Sequence, residues 1–414
     1  MQFVKKNPPK EETDNLLFLE KDKKAVTKTE KEKKDRKRLI RRLSVIAALV
    51  AVLLCALVIL GAKGWLSAER ISLKMSDAQK GRTLDENLPL SMNGLKVTSL
   101  DGMEYCFGLL DDLEYTIYSP EANELYAYKH NMSSPVSVTN ERRVLLYERG
   151  NRQLTVLTRK GILFEKTTED PVVTADMNEK DQIIAVTRGE RYLGQVRVYD
   201  KNGDEMLTWN SSDRYVVDAA LSPDGKCFAA LLLRVENGET STDVCFFKTG
   251  RDEPFASASF DGKALFDLRA LTDDVFAAVG TNETVLFENG KQTGVYSYGS
   301  RELSFFTVCA KEPALLFAPL PGETGCRGVT LGTRAEETAS FTVKGADYFA
   351  GTQGGDLLLC EGGTAYRLKR DGKTYQSEKV KVSAETGSVL RLTEKDGRSL
   401  LLSLNGVFAE DEDR

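Results

Sequence analysis

A gapless internal repeat constrains the fold of this chain more than any other feature of its sequence. Val172 to Ala185, VVTADMNEKDQIIA, aligns with Val216 to Ala229, VVDAALSPDGKCFA, at an offset of 44 residues. Leu271 to Ala278, LTDDVFAA, matches Leu221 to Ala230 as a third copy once two turn residues are dropped. Each copy reads as a strand, a polar turn and an apolar strand. A second element recurs with a similar period: a β-rich run closed by a glycine turn, ending at Gly161, Gly203, Gly250, Gly290, Gly332, Gly372 and Gly406. The intervals are 42, 47, 40, 42, 40 and 34 residues. Glycine supplies the positive φ that tight hairpin turns need.

Two hairpins in each repeat fit one four-stranded unit per period, the sequence signature of an all-β fold of the β-propeller type. A weaker hairpin in ELYAYKHNMSS, near Asn131, brings the expected number of blades to eight, and seven also fits. Two β-sandwiches would supply many short strands too, but give no reason for the period. LKVTSL, Leu95 to Leu100, is expected to pair with the final blade and close the ring, leaving no open edge.

The run LSPDGK, Leu221 to Lys226, followed by CFAALLL, resembles the SPDGK-type turn of TolB-like and WD-repeat propellers, with Asp224 and Gly225 at the turn. NEKDQ at Asn178 and TDD at Thr272 stand as degraded copies. The whole layout, a basic tail, an apolar segment and a divergent propeller, resembles uncharacterised membrane-anchored surface proteins of Gram-positive anaerobes. That resemblance implies a fold and a display geometry, and brings no catalytic residue with it.

The apolar segment is LSVIAALVAVLLCALVILGA, Leu43 to Ala62, without a single charge. At about 1.5 Å per residue a helix of this length matches a hydrocarbon core of about 30 Å, so residues 43–66 are expected to form a transmembrane helix. Eight Lys and Arg lie in Lys31 to Arg42, against three in Lys63 to Lys74. The positive-inside bias therefore places the N-terminus in the cytoplasm and the bulk of the chain outside the cell membrane. A cleaved signal peptide would have a far shorter basic region. Residues 1–42, rich in Lys and Glu, cannot bury enough apolar surface to fold and are expected to be disordered, their basic charge drawn to membrane lipid. Residues 67–89 read as a polar stalk, and 90–414 as the extracytoplasmic propeller.

Charge and residue types then exclude several function classes. Met1 to Arg42 carries 15 basic against 8 acidic residues, whereas the rest carries 42 against 54. An acidic main domain does not suit a nucleic-acid groove. No CxxC spacing suggests structural zinc, and the single histidine, His130, expected at an exposed turn, rules out a two-histidine metal site. No P-loop, GxGxxG or GxSxG occurs, so no cofactor and no catalytic residue is assigned. Cys227 and Cys245 are expected on successive strands of one hairpin, where a disulfide and two buried thiols both fit. Cys309 and Cys326 form a similar pair. Tyr105, Tyr115, Tyr118, Tyr126 and Tyr128 are expected to pack within the first blade, a binding platform being the alternative. The resulting expectation is a non-enzymatic binding, scaffold or receptor module for an extracytoplasmic protein or wall glycan. The alternative is a carbohydrate-active hydrolase using Asp and Glu around the central channel.

Overall fold

The computed structural model describes residues 88–91, 96–395 and 398–411, all within one compact unit, Thr83–Arg414. The expected tail 1–42, the helix 43–66 and the stalk, apart from its last two residues, lie outside the described residues. Among the described residues no helix is long and apolar enough to cross a membrane.

After β1 (Leu90–Ser91), the first sheet contains β2 (Ser99–Met103), β3 (Cys106–Leu110), β4 (Glu114–Tyr118) and β5 (Glu124–Lys129). The second contains β6 (Pro135–Thr139), β7 (Val144–Glu148), β8 (Gln153–Thr158) and β9 (Gly161–Thr167). The third contains β10 (Val172–Met177), β11 (Ile183–Thr187), β12 (Gly194–Tyr199) and β13 (Glu205–Ser211). The fourth contains β14 (Tyr215–Leu221), β15 (Cys227–Glu236), β16 (Glu239–Lys248) and β17 (Ala256–Asp261). The fifth contains β18 (Leu265–Ala270), β19 (Val275–Gly280), β20 (Glu283–Glu288) and β21 (Lys291–Ser297).

An eight-stranded sheet follows, in which β22 (Leu303–Cys309), β23 (Glu312–Phe317), β24 (Cys326–Leu331) and β25 (Glu337–Val343) form one antiparallel half. Its other half is β26 (Tyr348–Gly351), β27 (Leu357–Glu361), β28 (Thr364–Asp371) and β29 (Thr374–Lys379). A single parallel pair, Ser340 with Thr374, joins the halves. The last sheet is β30 (Val389–Lys395), β31 (Arg398–Ser403), β32 (Gly406–Ala409) and, as its fourth strand, β1.

This is an all-β, propeller-like fold. Within each sheet the chain steps from the innermost strand outward, and successive innermost strands lie beside one another: β10 against β14, β14 against β18, β22 against β26, and β30 against β2. The core is accordingly a series of layers between sheets. Phe228, Ala230 and Leu232 of β15 face Val196 and Val198 of the third sheet, while Ala229 and Leu231 face Phe276 and Phe287 of the fifth. The second strand of each sheet is covered on both faces, which is why IIAVT, CFAALLL and VFAAVG read as continuous apolar runs rather than alternating ones.

The ring closes differently from the sequence expectation. Leu90 and Ser91 pair with Val407 and Gly406, whereas Ser99 to Met103 pair with β3 and head the first sheet. Leu88, Leu90 and Val97 pack onto Leu400, Leu402 and Val407, so the closure buries apolar contacts as well as pairing backbone. LKVTSL is therefore the lead into the innermost strand of the first sheet, not the closing strand.

Candidate functional site

The innermost strands carry a repeated irregularity. β-bulges fall between Val172 and Thr174, Val216 and Asp218, Leu265 and Asp267, Leu303 and Phe305, and Val389 and Arg391. Each sits near the start of an innermost strand. A bulge inserts one residue and re-aims the next side chain. In three sheets the re-aimed residue is charged: Asp218, Asp267 and Arg391.

Those charges are matched locally. Asp218 accepts the Ala219 amide at 2.9 Å and, across the sheet boundary, the Leu268 amide at 2.8 Å. Burial and then the neighbouring Asp267 push its carboxyl up to about 7, against the pull of Arg269. The Arg269 guanidinium holds Asp267 at 2.9 and 3.0 Å and lies 3.9 Å from Asp176 of the third sheet. Asp101, on β2, accepts from Ser99 at 2.7 Å and from the Tyr115 hydroxyl at 3.0 Å; burial raises its pKa. A general acid or base must present an oxygen to substrate. Both oxygens of Asp218 are occupied by backbone amides, one of them from the next sheet, and Asp267 is clamped by Arg269 of its own strand, so Asp218 fastens two sheets and Asp267 holds the arginine in place.

At the opposite end of the innermost strands the repeated turns touch one another. Asn140 donates to the Asn178 carbonyl at 3.0 Å and to Asp181 at 2.9 Å; Asn178 donates to the Ser222 carbonyl at 2.9 Å; the Asp224 amide donates to Asp273 at 2.9 Å. Within the SPDGK turn, Asp224 accepts the Ser222 hydroxyl, the Lys226 amide and the Lys226 ammonium. Gly225 has φ +72°, and a Cβ there would meet Gln182 Oε1 of the adjacent turn at 1.6 Å. The motif shapes the turn and forms its seam with the neighbouring sheet.

The glycine turns serve the outer seam. Gly161, Gly203, Gly250, Gly290 and Gly372 have positive φ and lie where the third strand of a sheet turns into the fourth. At Gly203 a Cβ would lie 2.8 Å from the Phe164 ring on β9, and at Gly290 2.6 Å from Ala256 on β17. Three sequence assignments need correction. In the LGTRAEE turn the positive φ falls on Ala335, +62°, not on Gly332. Gly406, φ +155°, lies between the second and third strands of the last sheet, because the fourth strand there is β1. The segment near Asn131 connects two sheets; the first sheet's outer turn is Ser119 to Asn123, with Ala122 at φ +59°.

Cys227 and Cys245 do not face each other. The Asn237–Gly238 turn sets a register in which Cys227 opposes Lys248 and Cys245 opposes Ala230. Three residues of offset put the two thiols on opposite sides of the sheet, and both are free. Burial pushes the Cys245 thiol up to about 11, which removes it as a nucleophile at neutral pH. Cys309 and Cys326 are also free and buried. His130 is buried rather than exposed: its Nδ1 accepts the Met132 amide at 3.3 Å, which leaves Nε2–H to donate to the Asp111 carbonyl at 3.1 Å. Its two nitrogens tie the link between the first and second sheets. Among the first-sheet tyrosines, Tyr115 is buried on Asp101, Tyr118 stacks on Phe107 at 5.3 Å and Tyr128 donates to Glu165 at 3.0 Å. They pack the sheet and fasten it to its neighbour. Among the described residues no cluster of His, Cys, Asp or Glu could hold a metal ion.

Two features remain unused by these seams, both at the end of the sheets that carries the turns between second and third strands. One is the β15–β16 hairpin. Its strands are 10 residues each, and beyond the Tyr215–Leu233 and Ser241–Asp261 pairs it continues without a flanking strand to Asn237–Gly238. Both turn residues have positive φ, the type I′ geometry, a signal that the glycine periodicity passes over. Val235 is 57% and Tyr215 41% exposed. The other is a cleft of about 410 Å³ beside Phe266, between the fifth sheet and β22.

Sheet topology and inter-sheet layers thus define an all-β, propeller-like protein. Its residues 112–298 match a family of unknown function, DUF5711. No curated protein matches the sequence. Similar solved structures include the β-propeller domain of Myceliophteria thermophila Cps50 (Swd1), 9% identical with a TM-score of 0.48 over 65% of this chain and 94% of that one. The Dos1 propeller is 11% identical, TM-score 0.47, over 68% and 79%. A eukaryotic initiation factor is 10% identical, TM-score 0.49, over 81% and 91%.

Proposed function

We propose that this protein is a membrane-anchored, non-enzymatic docking module: an eight-bladed propeller held outside the cell membrane by the helix 43–66, with a cytoplasmic basic tail lying on anionic lipid. The eight blades are the five separate four-stranded sheets, the two halves of the eight-stranded sheet and the last sheet with β1. The anchor and orientation rest on the uncharged run and the basic excess before it.

The observation that carries the docking role is the projecting β15–β16 hairpin. Its tip presents Val235 to solvent with Arg234, Glu236 and Glu239 around it, and Tyr215 stands at its base under the Arg188 guanidinium, 5.8 Å from the ring centroid. An apolar side chain ringed by charge on a projecting two-stranded arm suits a protein partner, with Tyr215 as the aromatic anchor. The test is crosslinking in cells followed by mass spectrometry, comparing the full-length protein with Val235→Asp and Tyr215→Asp. One protein captured by the parent and lost from both variants supports the reading; identical capture by all three overturns it.

A further inference from the structure

We propose that the cleft beside Phe266 is a binding site for a neutral saccharide. The inference rests on the reading of the domain as a binding module, and uses a surface separate from the hairpin tip.

Phe266 is the inserted residue of the β18 bulge, between Leu265 and Asp267. Leu265 is buried in the layer against the fourth sheet, whereas the Phe266 ring is displaced from the ladder and is 51% exposed. A half-exposed ring fixed to a strand offers a flat apolar surface to the C–H face of a sugar, at little cost in side-chain freedom. Around it, Thr281, Asn282 and Ser300 are exposed and bring hydroxyl and amide groups that both donate and accept, as a polyol requires. A volume of about 410 Å³ is in the range of small-ligand sites.

The charges of the cleft select against anions. Arg301, the one cation in its lining, is held in a two-pronged pair with Glu323 at 2.8 and 2.6 Å, and Glu302 stands at the rim. A phosphate or carboxylate would have to displace Glu323 and pass Glu302. The walls are built, not loose: Tyr298 is buried beneath them, its hydroxyl 2.7 Å from Thr284, and its amide donates to the Asn282 carbonyl at 2.9 Å. Gly280 has no room for a Cβ, which would lie 2.7 Å from Leu265, while the space beside Gly299 is open. Gly280 is thus packed tightly onto the fifth sheet, and the Gly299 side of the cleft is open.

The test is calorimetric titration of the full-length protein, in a detergent without a sugar headgroup, with tetra-N-acetylchitotetraose, cellotetraose and maltotetraose in turn. The parent, Phe266→Ala, Phe266→Trp and Asn282→Ala are compared, with circular dichroism to verify folding. Binding of at least one tetrasaccharide is expected, weakened about tenfold by Phe266→Ala, retained by Phe266→Trp and weakened by Asn282→Ala. Absence of binding by all three at millimolar concentration, or binding that Phe266→Ala and Asn282→Ala leave unchanged, overturns the proposal. Such a failure is distinguishable from failure of the docking reading, because protein capture through Val235 and Tyr215 does not depend on Phe266.

Discussion

The Asn178 side-chain amide donates to the Ser222 carbonyl at 2.9 Å, joining two copies of one turn that stand 44 residues apart in the chain. Its Oδ1 meanwhile accepts the Lys180 and Gln182 amides at 3.0 and 2.9 Å. One side chain thus shapes its own turn and fastens the next. Asn178→Ala should cost about 1–3 kcal/mol by leaving buried backbone groups unpaired. Asn178→Asp, which keeps the acceptor but sets a carboxylate oxygen against the Ser222 carbonyl and Gln182 Oε1, should cost at least as much. Urea unfolding of the two variants checks the order; a clearly smaller cost for Asn178→Asp would mean that the bond to Ser222 contributes little.

Gly203 and Gly250 have nearly the same φ, +86° and +88°, but different surroundings: the Phe164 ring lies where a Gly203 Cβ would go, and nothing lies within 4 Å at Gly250. Both alanine variants should lose about 1–2 kcal/mol to the left-handed backbone. Gly203→Ala should lose roughly 1 kcal/mol more through overpacking. Thermal unfolding of the pair isolates the seam contact, and equal shifts would remove Phe164 from the account.

The raised pKa of Asp218 makes part of the stability depend on pH. The folded value, about 7, lies above the ordinary 3.8, so the folded state holds this proton more tightly. The contribution is complete below about 3.8 and is lost as pH rises through about 7. Asp218→Asn lacks this titration. The parent should therefore lose stability relative to the variant between about pH 3.8 and about pH 7, read as the difference in Tm at each pH. A difference constant with pH would contradict the assignment.

Free thiols at all six described cysteines lead to a simple chemical expectation. After unfolding in denaturant, iodoacetamide should label these six equally with and without prior reduction, and reductant should leave the Tm unchanged. In the folded state Cys227, partly exposed, should react before buried Cys245.

The propeller-like fold was legible because its period is written in turns. The three aligned copies are the inner hairpins of the third, fourth and fifth sheets, and six of the glycines, Gly332 among them, lie in outer turns of successive four-stranded units. The final interval of 34 residues held further information. It is short because Gly406 marks a different turn, and that turn differs because the last outer strand is supplied by Leu90–Ser91. The first sheet's outer turn uses Ala122 in place of glycine, so composition could not reveal it. The bulges left a trace in Val172–Val173, Val216–Val217 and Leu265–Phe266, doubled apolar residues that break the period-2 alternation of a strand. That trace leads to Phe266, and with it to the cleft. The burial of His130 depends on contacts between elements, which no local pattern encodes, whereas the register that parts Cys227 from Cys245 is written in the Asn237–Gly238 pair, a type I′ turn signal outside the glycine period.

The pairing of Leu90 and Ser91 with β32 also gives the domain a mechanical character. Among the described residues Leu90 and Ser91 are the first that the ladder holds, so a load on the chain ahead of Leu88 reaches the pairs with Val407 and Gly406 before any other strand. Pulling the strand out would uncover the apolar flank of Leu400, Leu402 and Val407. The closure is thus the first joint to receive a load, and the last sheet is where the ring would open under force.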